Sequence, residues 1–212
     1  MKNLLLLFFL IIIGCGSVPS IRPSGEGEKC ITFSAGGPVT EIYDMTMPIP
    51  YSVLRYRWGM NDVTDIHIGF HTTMAIMGNI AIDGGITRQF ARQSGWKPAF
   101  SAEGSIYGFY HYSEFSSIRI FPEISLIGSY NIKNRSELFY FGLQNMIQYT
   151  DPFLVFVPLI GVEVPFWNRL IVNIETKWYG PIEKSDNRAV DYDFRPFNYG
   201  ALGFVGGLSF RF

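Results

Sequence analysis

Three side chains have the types and spacing of a nucleophilic catalytic set. His111 and Ser113 are two positions apart, so on a β-strand they share one face, where the imidazole could take the hydroxyl proton. Glu123, on the next predicted strand, could orient the histidine. However, Ser113 opens the run SEFSS at 113–117, which is typical of a turn. A solvated turn beside a histidine accounts for the same residues, so the sequence favours a non-enzymatic role.

A larger set of charged side chains alternates with apolar ones. In segment 65–71, Ile66, Ile68 and Phe70 share one face, while the other face carries an aspartate and two histidines. On a closed sheet such polar faces would meet and form a network of ion pairs and hydrogen bonds that satisfies buried charges. Alternatively, some of these side chains line a narrow pore or a substrate site. The predicted network comprises Arg55, Arg57, Asp65, His67, Asp83, Glu103, Arg119, Glu123, Glu175, Lys177 and Arg211.

The composition gives no support to a metal, cofactor or nucleic-acid site. Two cysteines and three dispersed histidines do not provide the ligand spacing of a zinc or iron centre. The glycine-rich loops that bind the phosphates of nucleotides are not found in the sequence. With 17 basic and 18 acidic residues the net charge is -1, whereas nucleic-acid-binding domains usually carry a basic face. We therefore predict no metal, no cofactor and no nucleic-acid partner.

The elements that would position the charged residues are β-strands. From residue 31 onward, apolar and polar residues alternate with period two in segments separated by turn residues. The pattern predicts an all-β protein, an antiparallel up-and-down barrel of ten strands, with eight strands as the alternative. The predicted strands are 30–36, 51–59, 63–73, 77–89, 97–112, 117–130, 136–149, 153–165, 168–180 and 198–212.

A soluble sandwich and a transmembrane barrel both alternate, but with opposite polarity. Strands in soluble proteins average about five or six residues, whereas a strand needs about 9–11 residues to cross a bilayer. A membrane barrel turns its apolar side chains to lipid and its polar side chains to the lumen. The long predicted strands, and a chain that is 48% hydrophobic and 17% aromatic, fit the membrane barrel. Both long connections, 37–50 and 181–197, follow odd-numbered strands and so lie at one end of it.

The C-terminus carries a separate pattern. Gly207 precedes Phe210 and Phe212, which are two positions apart at the very end of the chain. This arrangement resembles the closing strand of bacterial outer-membrane barrels, although that family usually has a polar residue where Val205 stands. The resemblance covers the architecture of residues 30–212. It implies recognition of Phe212 by the barrel assembly machinery and a location among the lipids of the bacterial outer membrane.

The N-terminus has the features of a targeting segment. A single lysine precedes ten apolar residues, 4–13, which suit a signal peptide and are too few to cross a bilayer. The sequence IIGC at 12–15 resembles the lipobox of bacterial lipoproteins, which implies lipidation of Cys15; an ordinary secretory signal is the alternative. Gly16, where inner-membrane lipoproteins have aspartate, favours the outer membrane. The predicted organisation is a signal peptide 1–14, a lipid-anchored flexible linker 15–29 in the periplasm, and a barrel 30–212.

These features predict an outer-membrane β-barrel lipoprotein with a charged, filled lumen and a structural or surface-interaction role towards an unnamed partner. The alternatives are a narrow transport channel and a lipid-modifying enzyme. The His111-x-Ser113 spacing is similar to the His-x-Ser of outer-membrane lipid A deacylases, but Glu114 and Phe115 stand where that family has Asn-Ala. An outer-membrane protease would need His-Asp pairs at the outer rim, where the sequence provides only the aspartates 44, 191 and 193.

Replacing the lipobox cysteine tests the predicted anchor. Cys15→Ala should abolish incorporation of labelled palmitate, because the thiol that accepts the diacylglyceryl group is gone, and should leave an unprocessed or weakly anchored precursor. The matched control is Cys30→Ser, which removes the other thiol and should leave labelling unchanged. Palmitate labelling that persists in Cys15→Ala would show that the lipobox interpretation is wrong.

Overall fold

A computed structural model of the chain describes residues 17–42, 45–48, 51–113, 118–132, 137–149, 153–184 and 194–212. The predicted signal peptide and Cys15 lie outside the described residues. None of the described helices combines the length and apolar character needed to cross a bilayer.

The described chain is almost entirely antiparallel β-structure. From the third strand onward each strand pairs with the next in sequence, the first strand pairs with both the second and the third, and the last strand pairs with the first. Two short helical turns, α1 at Thr72–Ile76 and a 3-10 turn at Pro196–Asn198, lie between strands. The strands are β1 Lys29–Ile42, β2 Met45–Pro48, β3 Ser52–Asn61, β4 Thr64–His71, β5 Asn79–Ala91, β6 Ala99–His111, β7 Arg119–Asn131, β8 Leu138–Ile147, β9 Leu154–Pro165, β10 Leu170–Lys184 and β11 Tyr199–Arg211.

The sheet closes on itself through β1 and β11. Their ladder runs from the pair Cys30 and Arg211 to the pair Pro38 and Gly203. Gly36 allows this close approach, because a Cβ there would lie 2.2 Å from Cα of Val205. Since β2 pairs only with the end of β1, ten strands form the wall. The predicted ten-stranded up-and-down barrel is confirmed.

The first strand is longer than the sequence predicts. The pattern places its end at residue 36, yet β1 continues to Ile42 and forms a hairpin with β2 within the predicted loop 37–50. Pro38 has no N–H to donate and stands at the last pair of the β1–β11 ladder, where a missing donor costs least. The last residues of β1 therefore extend beyond the end of the β1–β11 ladder, where the barrel wall ends.

The two ends of the barrel differ in their connections. We call the end where β1 begins and β11 ends the proximal mouth, and the opposite end the distal mouth. The proximal connections are 62–63, 92–98, 132–137 and 166–169. The distal connections include the β1–β2 hairpin and the long segment 185–198, because β1, β4, β6, β8 and β10, which alternate around the wall, all run toward the distal mouth.

The wall has apolar side chains outside and polar ones inside. Along β4, Asp65, His67 and His71 are buried, while the intervening Ile66 and Ile68 are 37% and 59% exposed. In a closed sheet the enclosed face is the lumen, so the exposed isoleucines point outward. The barrel therefore has the polarity of a transmembrane barrel, in which the outer face contacts hydrocarbon.

Adjacent residues of β10 provide a test of this polarity. Ile174 is 58% exposed and Asn173 is 3% exposed, because they point to opposite sides of the wall. In vesicles of the Cys30→Ser protein, Ile174→Cys should react with a lipid-confined thiol reagent, whereas Asn173→Cys should not. Protection of both positions from that reagent would indicate a dry protein core on each side of the sheet, and the membrane barrel would be wrong.

Candidate functional site

The centre of the lumen is a charged cluster around Asp83 on β5. Arg55, from β3, places Nη2 2.9 Å from Oδ1 of this carboxylate. Two histidines of β4 also contact it: His71 Nε2 lies 3.0 Å from Oδ2, and His67 Nε2 lies 3.3 Å from Oδ1. All four side chains are almost completely buried. The alternation of polar residues in three consecutive strands thus brings one anion and its partners together.

Glu103 on β6 extends the cluster toward the proximal mouth. Its Oε1 lies 3.5 Å from Nη1 of Arg55, so one guanidinium bridges two carboxylates. Thr87 donates a hydrogen bond to Glu103 Oε2 at 3.1 Å, and Ser105 donates to Oε1 at 3.3 Å. Such charge-assisted bonds offset the cost of burying the carboxylate.

A second cluster lies on the opposite wall. The Nζ atom of Lys177 on β10 is 3.1 Å from Oε1 of Glu175 and donates to Oε1 of Gln144 at 2.8 Å. Glu123 on β7 accepts a hydrogen bond from the hydroxyl of Tyr107 at 3.2 Å. These groups are buried as well.

The remaining predicted network residues lie nearer the two mouths. Arg57 Nε is 3.5 Å from Oδ2 of Asp65, and Arg211 Nη2 is 3.9 Å from Oε1 of Glu163. Arg119 has the register of the lumen-facing residues of β7, but it lies at the distal mouth and is exposed. The structure thus places Arg119 at the rim instead of inside the charged clusters.

The N-terminal segment also lies in the lumen. We call residues 17–24 the plug. Ser20 N donates to Oε2 of Glu103 at 2.7 Å, and Ser24 donates to Oδ2 of Asp65 through its N at 2.8 Å and its Oγ at 3.0 Å. In the other direction, Arg55 Nη1 donates to the carbonyl of Val18 at 3.2 Å. The carbonyl of Ser17 accepts from Lys177 Nζ at 2.8 Å.

Two side chains of the plug have specific partners on the wall. Ile21, only 2% exposed, packs in a socket formed by Ile127, Leu138, Tyr140 and Leu159. The guanidinium of the next residue, Arg22, donates to Ser129 Oγ at 2.7 Å, Asn131 Oδ1 at 2.6 Å and Gln93 Oε1 at 3.1 Å. The sequence predicts a flexible linker here, because Gly, Ser and Pro dominate the segment. The feature of the sequence that could have indicated a bound segment is the aliphatic residue followed by arginine, Ile21 and Arg22.

Aromatic rings gather in the lumen on the distal side of the charged clusters. The ring of His71 lies 5.4 Å from that of Tyr51, 5.6 Å from that of Tyr107 and 6.0 Å from that of Phe109. Phe109 in turn contacts Phe121 at 5.6 Å. The Tyr51 hydroxyl also hydrogen-bonds Nδ1 of His71. We call these five residues the ring cluster. Its apolar and aromatic atoms fill the lumen on the distal side of the charged clusters.

Of the three candidate catalytic residues, the structure keeps His111 and Ser113 together and separates Glu123 from them. Ser113 Oγ and His111 Nδ1 are 2.8 Å apart, on the exposed distal side. Glu123, however, is paired in register with Ser105, six residues before His111 on β6, which is about 20 Å along the strand. Its carboxylate therefore does not orient this histidine. Among the described residues, no group of His, Cys, Asp and Glu side chains is arranged to hold a metal ion.

Comparisons with known proteins give only distant structural likenesses. No family model matches the chain, and no curated protein matches it. Among solved structures it is similar to the outer membrane protein Ail of Yersinia pestis in a nanodisc (11% identity, TM-score 0.38, 88% of this chain and 100% of that chain). The chain folds as a closed ten-stranded barrel that resembles outer-membrane barrels.

Two further structures show likenesses of the same order. The translocator domain of the autotransporter NalP from Neisseria meningitidis has 9% identity and a TM-score of 0.39, over 91% of each chain. The outer membrane protease OmpT from Escherichia coli has 11% identity and a TM-score of 0.38, over 92% of this chain and 100% of that chain. At these values the likenesses assign no function to this chain.

Removing the central guanidinium tests the charged cluster. Arg55→Met should lower the free energy of unfolding by about 3–5 kcal/mol, because Asp83 and Glu103 then lose a buried countercharge. The control Arg169→Met, on an exposed residue of the connection 166–169, should change it by about 0.5 kcal/mol or less. Urea unfolding of the barrel in lipid vesicles measures both. Equal effects of the two substitutions would show that the cluster does not stabilise the barrel.

Proposed function

We propose that this protein is a bacterial outer-membrane β-barrel lipoprotein with a lumen closed to ions, and that it serves a structural or surface-interaction role. The observation that carries this proposal is the filling of the lumen. Charged clusters and the ring cluster occupy it whatever the position of the N-terminal segment, and the plug fills the remaining proximal part while that segment is seated. Small barrels have interiors that side chains can fill, and a filled interior leaves no continuous water path.

The outer surface supports insertion in lipid. Isoleucines on consecutive strands point outward, among them Ile68, Ile106 and Ile160, at 55–60% exposure. A surface of this kind is unstable in water and stable in hydrocarbon. Membrane lipid is therefore the first partner that we propose.

The closing strand supports assembly by the outer-membrane machinery. Phe210 and Phe212 are about half exposed, at 46% and 50%, and their rings stack 6.3 Å apart on the outside of the wall. Gly207 faces inward, where a Cβ would lie 3.1 Å from a methyl carbon of Val18. The two aromatic residues of the proposed assembly signal are thus available to a receptor while the glycine packs against the plug.

The orientation of the barrel follows from the proposed anchor. With the N-terminal lipid at Cys15 in the periplasmic leaflet, the proximal mouth faces the periplasm and the distal connections face the exterior. Those connections, which include the segment 185–198, are the longest and would meet a surface partner.

Conductance in planar bilayers tests the closed lumen. The lipidated protein and its Cys15→Ala variant should both give no steady current, because the ring cluster closes the distal half whatever the position of the N-terminal segment. A gel shift between heated and unheated samples verifies that each protein is folded, and a general porin inserted in the same way serves as the positive control. A reproducible steady current from the folded protein would overturn the proposal in favour of a narrow channel.

A further inference from the structure

The wall that contacts the plug has the chemistry of a peptide-binding site. Carboxylates of Glu103 and Asp65 accept from backbone N–H groups, and the cations Arg55 and Lys177 donate to backbone carbonyls. Each of these contacts is made to a main-chain N–H or carbonyl group of an extended segment, so it does not depend on the side chains of that segment. The wall therefore presents donors and acceptors to a peptide in the way that a neighbouring strand does, but with side chains.

Side-chain contacts add sequence selectivity to this wall. The socket around Ile21 is formed by four buried apolar residues and admits an aliphatic side chain. Arg22 follows at once, and its planar guanidinium is held by three acceptor side chains and by the carbonyl of Ser129 at 3.0 Å. A peptide with an aliphatic residue followed by arginine fits both positions, whereas a peptide with an acidic residue in the socket would bury an unpaired charge.

The plug is attached to the barrel by a short turn and takes no part in closing it. The strand pairings of the wall, from β1 through β11 and back to β1, include no residue of the plug. Gly25 and Gly27, at φ of 108° and 75°, form the turn that leads from the plug into β1 at the proximal mouth. Such angles favour glycine. The segment can therefore leave through this mouth while the wall keeps every strand pairing.

Water could replace the plug in contact with the wall of the lumen. The groups uncovered would be those of Asp65, Glu103, Arg55 and Lys177, all of which water can hydrogen-bond. The socket of Ile21 is apolar. A polar cavity of this kind stays hydrated when it is empty, so the site can release and rebind its occupant.

We propose that the proximal half of the lumen is a binding site for an extended peptide that contains an aliphatic residue followed by arginine. Residues 17–24 occupy it in cis, and a separate peptide of the same sequence occupies it when they are displaced. This inference goes beyond the proposed function, since peptide binding holds whether or not the barrel conducts ions.

Thiol protection in the full-length chain tests the proposal. Ser209, which lines the space beside Val18 and Ile21, is 6% exposed and serves as the reporter in a Cys15→Ala, Cys30→Ser background. Ser209→Cys should react slowly with a water-soluble thiol reagent. Adding Ile21→Asp and Arg22→Ala should raise the rate at least tenfold, because the plug loses its socket and its guanidinium contacts. Equal rates in the two proteins would show that the plug does not cover the site, and would overturn the proposal.

Peptides added in trans complete this test. A synthetic peptide with the sequence of residues 17–28 should restore slow labelling in the plug-weakened protein. A matched peptide with Asp for Ile21 and Ala for Arg22 should not. Failure of the first peptide, or equal protection by both, would overturn the peptide-binding site.

A second experiment does not require the plug-weakened protein to fold. A specific protease site is placed at the exposed residues 26–28, and the chain is cut only after the barrel has folded with the natural plug in place. The cut segment should stay bound and should exchange with a fluorescent peptide of residues 17–28, but not with the matched altered peptide. Immediate loss of the cut segment, without rebinding of the fluorescent peptide, would contradict the proposal.

Discussion

The structure depends on the satisfaction of charges inside a closed sheet. An ion that loses its water in the lumen costs several kcal/mol unless opposite charges and hydrogen bonds replace the water. Arg55 meets this requirement for two carboxylates, Asp83 and Glu103, and for the carbonyl of Val18. One guanidinium therefore ties β3, β5, β6 and the N-terminal segment to a common arrangement.

The same requirement fixes the register of the strands. Because successive side chains of a strand point to opposite faces, a slip of one residue on β10 would place Glu175 in hydrocarbon and Ile174 among the buried charges. Both changes are costly, so the ion pairs within the lumen and the isoleucines outside it specify one pairing. The apolar outer surface and the charged lumen are two results of one alternating pattern.

Period two in the sequence predicts the strands and the polarity well, because it is a local signal. It places Glu175 and Lys177 inside and finds ten strands. It does not show that β1 extends into a hairpin with β2, since that depends on pairing between strands. It also misplaces Arg119, because a lumen-facing register does not tell how near a residue lies to the mouth.

The N-terminal segment was the hardest part to predict. Its composition of Gly, Ser and Pro is typical of a linker, and its partners are far away in sequence: Ser20 and Glu103 are 83 residues apart. No local pattern contains such a contact. The separation of Glu123 from His111 was hidden from the sequence for a related reason, because it is set by the register of β6 and β7.

The depth of Ser17 bears on how the chain can be anchored. Its hydroxyl lies 3.5 Å from that of Tyr107, four residues before the end of β6, or about 13 Å along the strand. Two residues span at most about 7 Å, so Cys15 would stay within the distal half of the barrel, away from the periplasmic leaflet, while Ser17 stays there. Measured from Ser24 at the proximal mouth, nine residues reach about 30 Å, enough to come out and enter the leaflet. Under the proposed lipidation of Cys15 the segment would therefore have to leave the lumen, so that the lipidated protein would hold a vacant site and the protein without lipid an occupied one.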